Sequence, residues 1–228
     1  MAPVAVVTGG NRGIGLEVCR QLAEHGYSVL LGSRDLAKGR AAAERLRGLD
    51  VTPLQLDVAD DGSVRAAAEE VVARGRCDAL VNNAAIEYDT DARASSADLA
   101  RVHRALETNL FGAWRMVLAL LPLLRRSPHP RIVNVSSQSG SLNGMGGGTP
   151  AYQVSKAALN ALTRTLAAEL RRDGVLVNAI CPGWTATDMG GGGGRAVRDG
   201  AASVVWGVLL GDDGPSGGFF RDGRALPW

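Results

Sequence analysis

Cysteine and lysine are both scarce in this 228-residue chain. The three cysteines, Cys19, Cys77 and Cys181, are scattered, odd in number and form no CxxC pair or Cys/His cluster. That pattern excludes a disulfide scaffold and supplies no zinc-ligand spacing, so no metal is expected and a reducing compartment is implied. Of 25 basic residues only Lys38 and Lys156 are lysines; positive charge otherwise rests on arginine. A lysine surviving such a bias is a candidate for chemistry. No run of like charge is present and the formal net charge is +2, which excludes a nucleic-acid footprint. Long apolar runs are missing too. The longest, Met116–Leu124, is about nine residues with Pro122 inside it, too short to span a bilayer. The opening residues enter a strand pattern directly, without the basic and apolar regions of a signal peptide. Neither a membrane nor a nucleic acid is therefore expected as partner, and the expected location is cytoplasmic.

What is present is the composition of an ordinary globular domain, with 46% hydrophobic and 21% charged residues. Apolar strand-like runs at Val4–Thr8, Ser28–Gly32, Thr52–Asp57, Ala79–Asn82, Arg131–Val135, Val175–Ile180 and Gly218–Phe220 alternate with helical patterns. The helical patterns cover Gly13–Gly26, Leu36–Arg47, Ser63–Arg74, a broken Ala97–Arg125, and Pro150–Asp173. Helices of this length between strands imply parallel pairing through right-handed crossovers. The expected fold class is α/β: one doubly wound domain over residues 1–228, with a seven-stranded, mainly parallel sheet and helices on both faces. No repeat or linker interrupts it. The one low-complexity patch, Gly190–Gly194, reads either as a flexible surface loop or as a mobile flap over a substrate site, within a substrate loop of about 183–205.

Thr8-Gly-Gly-Asn-Arg-Gly-Ile-Gly15 lies between the first strand and the first helix. Gly9, Gly13 and Gly15 permit a tight turn and close approach of a pyrophosphate to backbone N–H groups, and the helix N-terminus favours an anion. The spacing differs from the general GxGxxG dinucleotide fingerprint, so this turn does not decide the matter alone. Asp35 stands about where an acidic residue would hold a ribose 2′-hydroxyl, which argues for NAD(H). Arg12 within the turn and Arg34 after the second strand suit a 2′-phosphate instead, through charge-assisted hydrogen bonds. The reading favours NADP(H) over NAD(H).

Read together, the motifs resemble the short-chain dehydrogenase/reductase family, in its carbonyl-reductase-like branch. The first turn, with Asn11 and Ile14 among its residues, is similar to the family's TGxxxGxG. Asn82-Asn-Ala-Ala85 resembles NNAG with Ala85 in place of glycine, and Ile132-Val-Asn-Val-Ser-Ser137 resembles the strand carrying the catalytic serine. Tyr152-Gln-Val-Ser-Lys156 matches YxxxK, and Cys181-Pro-Gly-Trp-Thr-Ala-Thr187 matches the PGxxxT segment. The resemblance covers essentially the whole chain and implies a Rossmann fold. It also implies that Asp57, Val58, Asn83, Ala84, Pro182, Gly183, Thr185 and Thr187 join the glycine turn, Arg12 and Arg34 around the cofactor.

Tyr152 and Lys156 are four residues apart on one helix face. A free tyrosine has a pKa near 10; bringing it to neutrality needs roughly 4 kcal/mol of differential stabilisation, which a neighbouring ammonium and a cationic oxidised nicotinamide in a partly desolvated site can supply. The expectation is an acidified phenol acting as general acid/base on a carbonyl. The resemblance adds that Tyr152 and Lys156 also contact the cofactor, Ser137 polarises the substrate oxygen, and Asn109 holds a water linking Lys156 to solvent. The strand motif selects Ser137; the commonest family spacing back from the tyrosine selects Ser139. His25, His103 and His129 have no partner pattern, and Asp60, Asp61, Asp89, Asp91, Asp212 and Asp213 read as turn residues. Trp184, Met189, Met145 and Tyr88 fall in segments that line the family's substrate cleft. The expected function is NADP(H)-dependent reduction of a ketone, aldehyde or quinone carbonyl. A catalytically silent NADP-binding regulator or scaffold, or a specialised biosynthetic ketoreductase or enone reductase, is the alternative. The interval before Tyr152 lacks the long insertion of the family's monomers, so a homodimer or homotetramer paired through the long-helix face is expected.

Overall fold

The computed structural model describes residues 2–190 and 192–228. Its strands are β1 Val4–Val7, β2 Ser28–Ser33, β3 Val51–Gln55, β4 Ala79–Asn82, β5 Arg131–Val135, β6 Leu176–Ile180, β7 Phe219–Arg221 and β8 Arg224–Ala225. The helices are α1 Gly13–Glu24, α2 Leu36–Glu44, α3 Asp61–Ala73, α4 Leu99–Leu106, α5 Ala113–Leu124, α6 Pro150–Glu169 and α7 Val197–Val208. One sheet runs β3-β2-β1-β4-β5-β6-β7-β8. Its first seven strands pair in parallel and β8 folds back antiparallel on β7.

The residues explain the layering. Every residue of β1, β4, β5 and β6 is buried, as expected of parallel strands covered on both faces. Alternate side chains feed two cores. Val6, Leu30, Leu80 and Ile132 meet Met116, Leu120, Leu159 and Leu166 on the side of α5 and α6. Val7, Leu31, Val81 and Val133 meet Leu22, Val204 and Val205 on the side of α1 and α7. Strand order reverses between β1 and β4, so the chain leaves their carboxyl ends in opposite directions and opens a crevice there. The sheet margins are β3, which carries Pro53, and the two-residue β8.

The architecture is the expected one with two differences. Among the described residues there are eight strands rather than seven, because Arg224–Ala225 closes a hairpin on β7. The segment read as a substrate loop to about residue 205 is helical from Val197 onward. This helix holds close to the sheet because Gly207 packs on it; a Cβ there would sit 3.1 Å from Ile180 Cγ1. Within the glycine patch, Gly190 and Gly194 are held against Trp184 rather than loose. The indole Nε1 donates to Gly190 O at 2.8 Å, and main-chain bonds join Arg195 to Trp184 and Ala186. Gly191 lies outside the described residues. Among the described residues no helix is long and apolar enough to cross a membrane.

Candidate active site

The crevice is a cleft of about 410 Å³, and most of the sequence-predicted residues line it. At one end the β1–α1 turn is locked to the β4 end by hydrogen bonds. Thr8 Oγ1 accepts the N–H groups of Asn83 and Ala84, and Asn83 Nδ2 donates to Thr8 O and Gly9 O. Gly9 has φ +64°, and a Cβ on it would lie 3.0 Å from Ala84 Cα, so both conformation and space demand glycine. Helix α1 starts with no side-chain cap and no acidic residue in its first turn. Its leading N–H groups thus face the cleft ready for an anion.

Gly13, Ile14, Gly15, Asn11, Arg12, Arg34, Asp57, Val58, Asn83, Ala84, Pro182 and Thr187 all front this cleft, as do Tyr152 and Lys156. Two residues expected there do not. Thr185 is buried, its hydroxyl turned to the carbonyls of Gly183 and Pro182. Gly183 sits under the Arg195 and Arg221 side chains, outside the cleft wall. The Asp35 carboxylate is used locally, where it caps α2 by accepting the Lys38 N–H. Arg12 crosses the cleft mouth to Asp188 at 3.0 Å, both side chains well exposed.

At the other end the groups are buried. Tyr152 and Lys156 lie on the first turns of α6, with Lys156 only 2% exposed. Ser137, just past β5, is the serine whose hydroxyl acts on the Tyr152 phenol, drawing its pKa down against burial. Its neighbours are turned elsewhere: Ser136 Oγ donates to Asn160 Oδ1 at 2.6 Å, and Ser139 reaches Ser137 through its main-chain N–H. The structure therefore brings Ser137, not Ser136 or Ser139, to the phenol.

The electrostatics differ from the sequence expectation. Burial pushes the Tyr152 phenol above its ordinary value, opposed only in part by the Ser137 hydroxyl. Burial also lowers Lys156, to about 8. Its Nζ donates to Val135 O at 2.7 Å and stands 5.6 Å from the centre of the Tyr152 ring. Desolvation is thus the dominant influence on the resting phenol, and it acts against acidification.

Asn109 lies in a π-helical turn, Glu107–Gly112, that joins α4 to α5. Its Oδ1 accepts the Ile86 N–H, and its Nδ2 donates to Ile86 O and to Ser155 Oγ. The side chain is engaged by the β4–α4 connection and by α6 rather than pointed at Lys156. Sequence reasoning overlooked Ile86 and Ser155, which no motif marks. It also read Asp89 as a turn residue, whereas the structure buries that carboxylate against the start of α6. Among the described residues no group of three His, Cys, Asp or Glu side chains is placed to hold a metal ion.

A short chain dehydrogenase family model matches residues 3–195. The (+)-neomenthol dehydrogenase of Arabidopsis thaliana is 38% identical over 95% of this chain and 95% of its own length. Carbonyl reductase (NADPH) 1 of Sus scrofa is 33% identical over 99% of this chain and 94% of its own length. The alignment to the first runs over 282 positions, more than the 228 residues available, so that relative carries segments this chain lacks. The structure of NADPH-bound carbonyl reductase from chicken fatty liver superposes with a TM-score of 0.89 at 27% identity, over 100% of this chain and 99% of that one. Matched by a family model over most of its length and by relatives above 30% identity from end to end, the chain belongs to the short chain dehydrogenase family of oxidoreductases.

Proposed function

We propose that this chain is an NADP(H)-dependent carbonyl reductase in which Tyr152 gives the proton to the forming alcohol. The observation that carries the reading is the buried Tyr152 phenol with Lys156 beside it, fronting a cleft whose other end is an uncapped helix N-terminus. NADP(H) fits the residues present. The glycine turn packs on the β4 end so closely that a Cβ at Gly9 would strike Ala84, which leaves main chain at the cleft, and Arg12, Arg34 and Lys38 supply positive charge around Asp35 for a 2′-phosphate. The names of two relatives, both carbonyl reductases with NADPH, support the same cofactor.

When bound, the reduced nicotinamide supplies the hydride. The chain does the rest. Ser137 donates a hydrogen bond to the carbonyl oxygen and holds it beside Tyr152. The Tyr152 hydroxyl then passes its proton to that oxygen as negative charge develops, a contribution worth about 10²–10⁴-fold. Lys156 places an ammonium behind the phenol, favouring the phenolate left after transfer, and is available to the ribose hydroxyls. Ile86 and Met189 give the cleft an apolar wall suited to a ketone, aldehyde or quinone carrying a hydrophobic body.

The same reading includes assembly into a homodimer or homotetramer through the α4–α5 face. Phe111, Trp114 and Leu118 form one exposed stripe at helical spacing there, which supports it.

The test is the absorbance of NADPH at 340 nm in the presence of a ketone and quinone panel. Turnover by the parent protein and its loss in Tyr152→Phe, with NADPH still bound, is the expected result. Full activity in Tyr152→Phe would sink the mechanism, and NADPH binding without turnover of any carbonyl would favour a silent regulator.

A further inference from the structure

We propose that Asp89 is a positioning residue for Tyr152: its buried carboxylate caps helix α6 from the β4–α4 connection and fixes where the phenol stands. The inference rests on the reading of Tyr152 as proton donor.

Helix α6 lacks a cap of its own. Thr149 precedes it with φ −25° and ψ 62° and makes no side-chain capping bond. The missing acceptor comes from 62 residues earlier: Asp89 Oδ2 accepts the Ala151 N–H at 2.9 Å. Asp89 Oδ1 accepts the N–H of Tyr152 itself at 3.1 Å. Both oxygens are thus used on the first turn, where the helix dipole favours a negative charge, and the residue is 1% exposed.

The segment leading to Asp89 is held at every residue. Ile86 is bound through both its N–H and its C=O by the Asn109 side chain. Glu87 has φ +61°, a left-handed conformation rare for a side chain of its kind, and its carboxylate is gripped by Arg101 and Arg104. Tyr88 packs edge-on to Tyr152, ring centres 5.1 Å apart at 89°. The circuit then closes inside α6: Asn109 Nδ2 donates to Ser155 Oγ, and Ser155 Oγ donates to Tyr152 O.

Tyr152 is therefore held at its N–H by Asp89, at its ring by Tyr88, and at its C=O by Ser155. A free helix end would let the first turn fray and the phenol wander, and a misplacement of about 1 Å costs on the order of 10²-fold in rate. Only a carboxylate matches the geometry. An asparagine of the same shape offers one acceptor and turns an N–H toward the other donor. Within this bracket the Asp89 carboxylate itself lies behind the tyrosine and outside the cleft wall, so its loss acts on the chemistry and not directly on nucleotide contacts.

The experiment compares Asp89→Asn with the parent, counting active sites by NADPH fluorescence titration. The ketone is whichever the parent reduces fastest, with NADPH deuterated at the transferred position as second donor. The expected result is that kcat and kcat/KM fall together by tenfold or more. The NADPH dissociation constant should stay within twofold, and the deuterium isotope effect on kcat should rise. A purely structural role predicts fewer sites, each turning over at the parent rate with the parent isotope effect; that outcome overturns the proposal. If Asp89→Asn binds no NADPH, Tyr88→Ala decides, since it leaves the cap intact. A several-fold loss of kcat per site supports the bracket, and an unchanged kcat refutes it. Tyr152→Phe is measured alongside: activity surviving there removes the underlying reading, whereas its loss with a fully active Asp89→Asn removes only this one.

Discussion

The two ends of the cleft are built on opposite electrostatic terms. At the nucleotide end the charged groups stand in water: Arg12, Asp188, Arg34 and Lys38 are exposed, and the close contacts are made by backbone and glycine. At the chemical end Lys156, Asn109, Ser155 and Ser136 are almost wholly buried and joined by hydrogen bonds to neighbouring elements. Exposed charges are screened by salt and contribute modestly each. Buried polar groups are costly if unpaired and so enforce one geometry. The difference teaches that affinity and reactivity are separable here.

The comparison breaks most visibly at the serine pair. Ser137→Ala removes the hydroxyl at the phenol and is expected to lower kcat by about 10²-fold or more. Ser139→Ala should stay within a few-fold, by steady-state kinetics on one ketone; the reverse ranking would relocate the chemistry. Lys156 offers a sharper probe of burial. Its ordinary value is 10.5 and in the folded protein it is lowered to about 8. Below about 8 both folded and unfolded chains hold the proton, and the fold carries the full cost of a buried ammonium. Between there and 10.5 the folded protein releases the proton first, so stability rises with pH, by about 3 kcal/mol at most. Urea unfolding from pH 7.5 to 10 should show that rise in the parent relative to Lys156→Met. Parallel pH profiles would mean the ammonium is not desolvated.

At the exposed end the effects are smaller. Arg12→Ala or Arg34→Ala should weaken NADPH binding by about tenfold, corresponding to the loss of a hydrogen bond to a charged group. NADH binding should hardly change, and the gap between parent and variant should narrow in high salt. Equal losses for both nucleotides in calorimetry would count against a 2′-phosphate contact. The smallest expected effect on catalysis is at the helix face. Trp114→Glu should shift the molecule to monomers in light scattering while kcat stays within twofold. A monomeric parent would overturn the proposed assembly.

How much of this was legible in the chain follows from the same physics. Strands β1, β4, β5 and β6 announce themselves as mostly apolar runs, broken only by Asn82, Arg131, Asn134 and Asn178, because both of their faces are covered. Strand β8 does not; its two residues are exposed and carry no alternation. Helix α7 is masked by Gly200 and Gly207, which weaken helical propensity yet are what lets it approach Thr185 and Ile180. In the site, residues acting through local spacing were readable: the glycine turn, and the i, i+4 pair of Tyr152 and Lys156. Residues acting across the fold were not. Nothing near Asp89 in sequence indicates that it meets Ala151 and Tyr152, and the expected acidified phenol ignored how deeply the ring is buried.

One consequence concerns the margins of the sheet. A proline cannot donate to a ladder, and β3 carries Pro53 in its middle; the opposite border is a stub of two residues. Neither side offers a length of unpaired backbone on which a foreign β-segment could align. Growth of the sheet from one molecule into the next is thereby disfavoured.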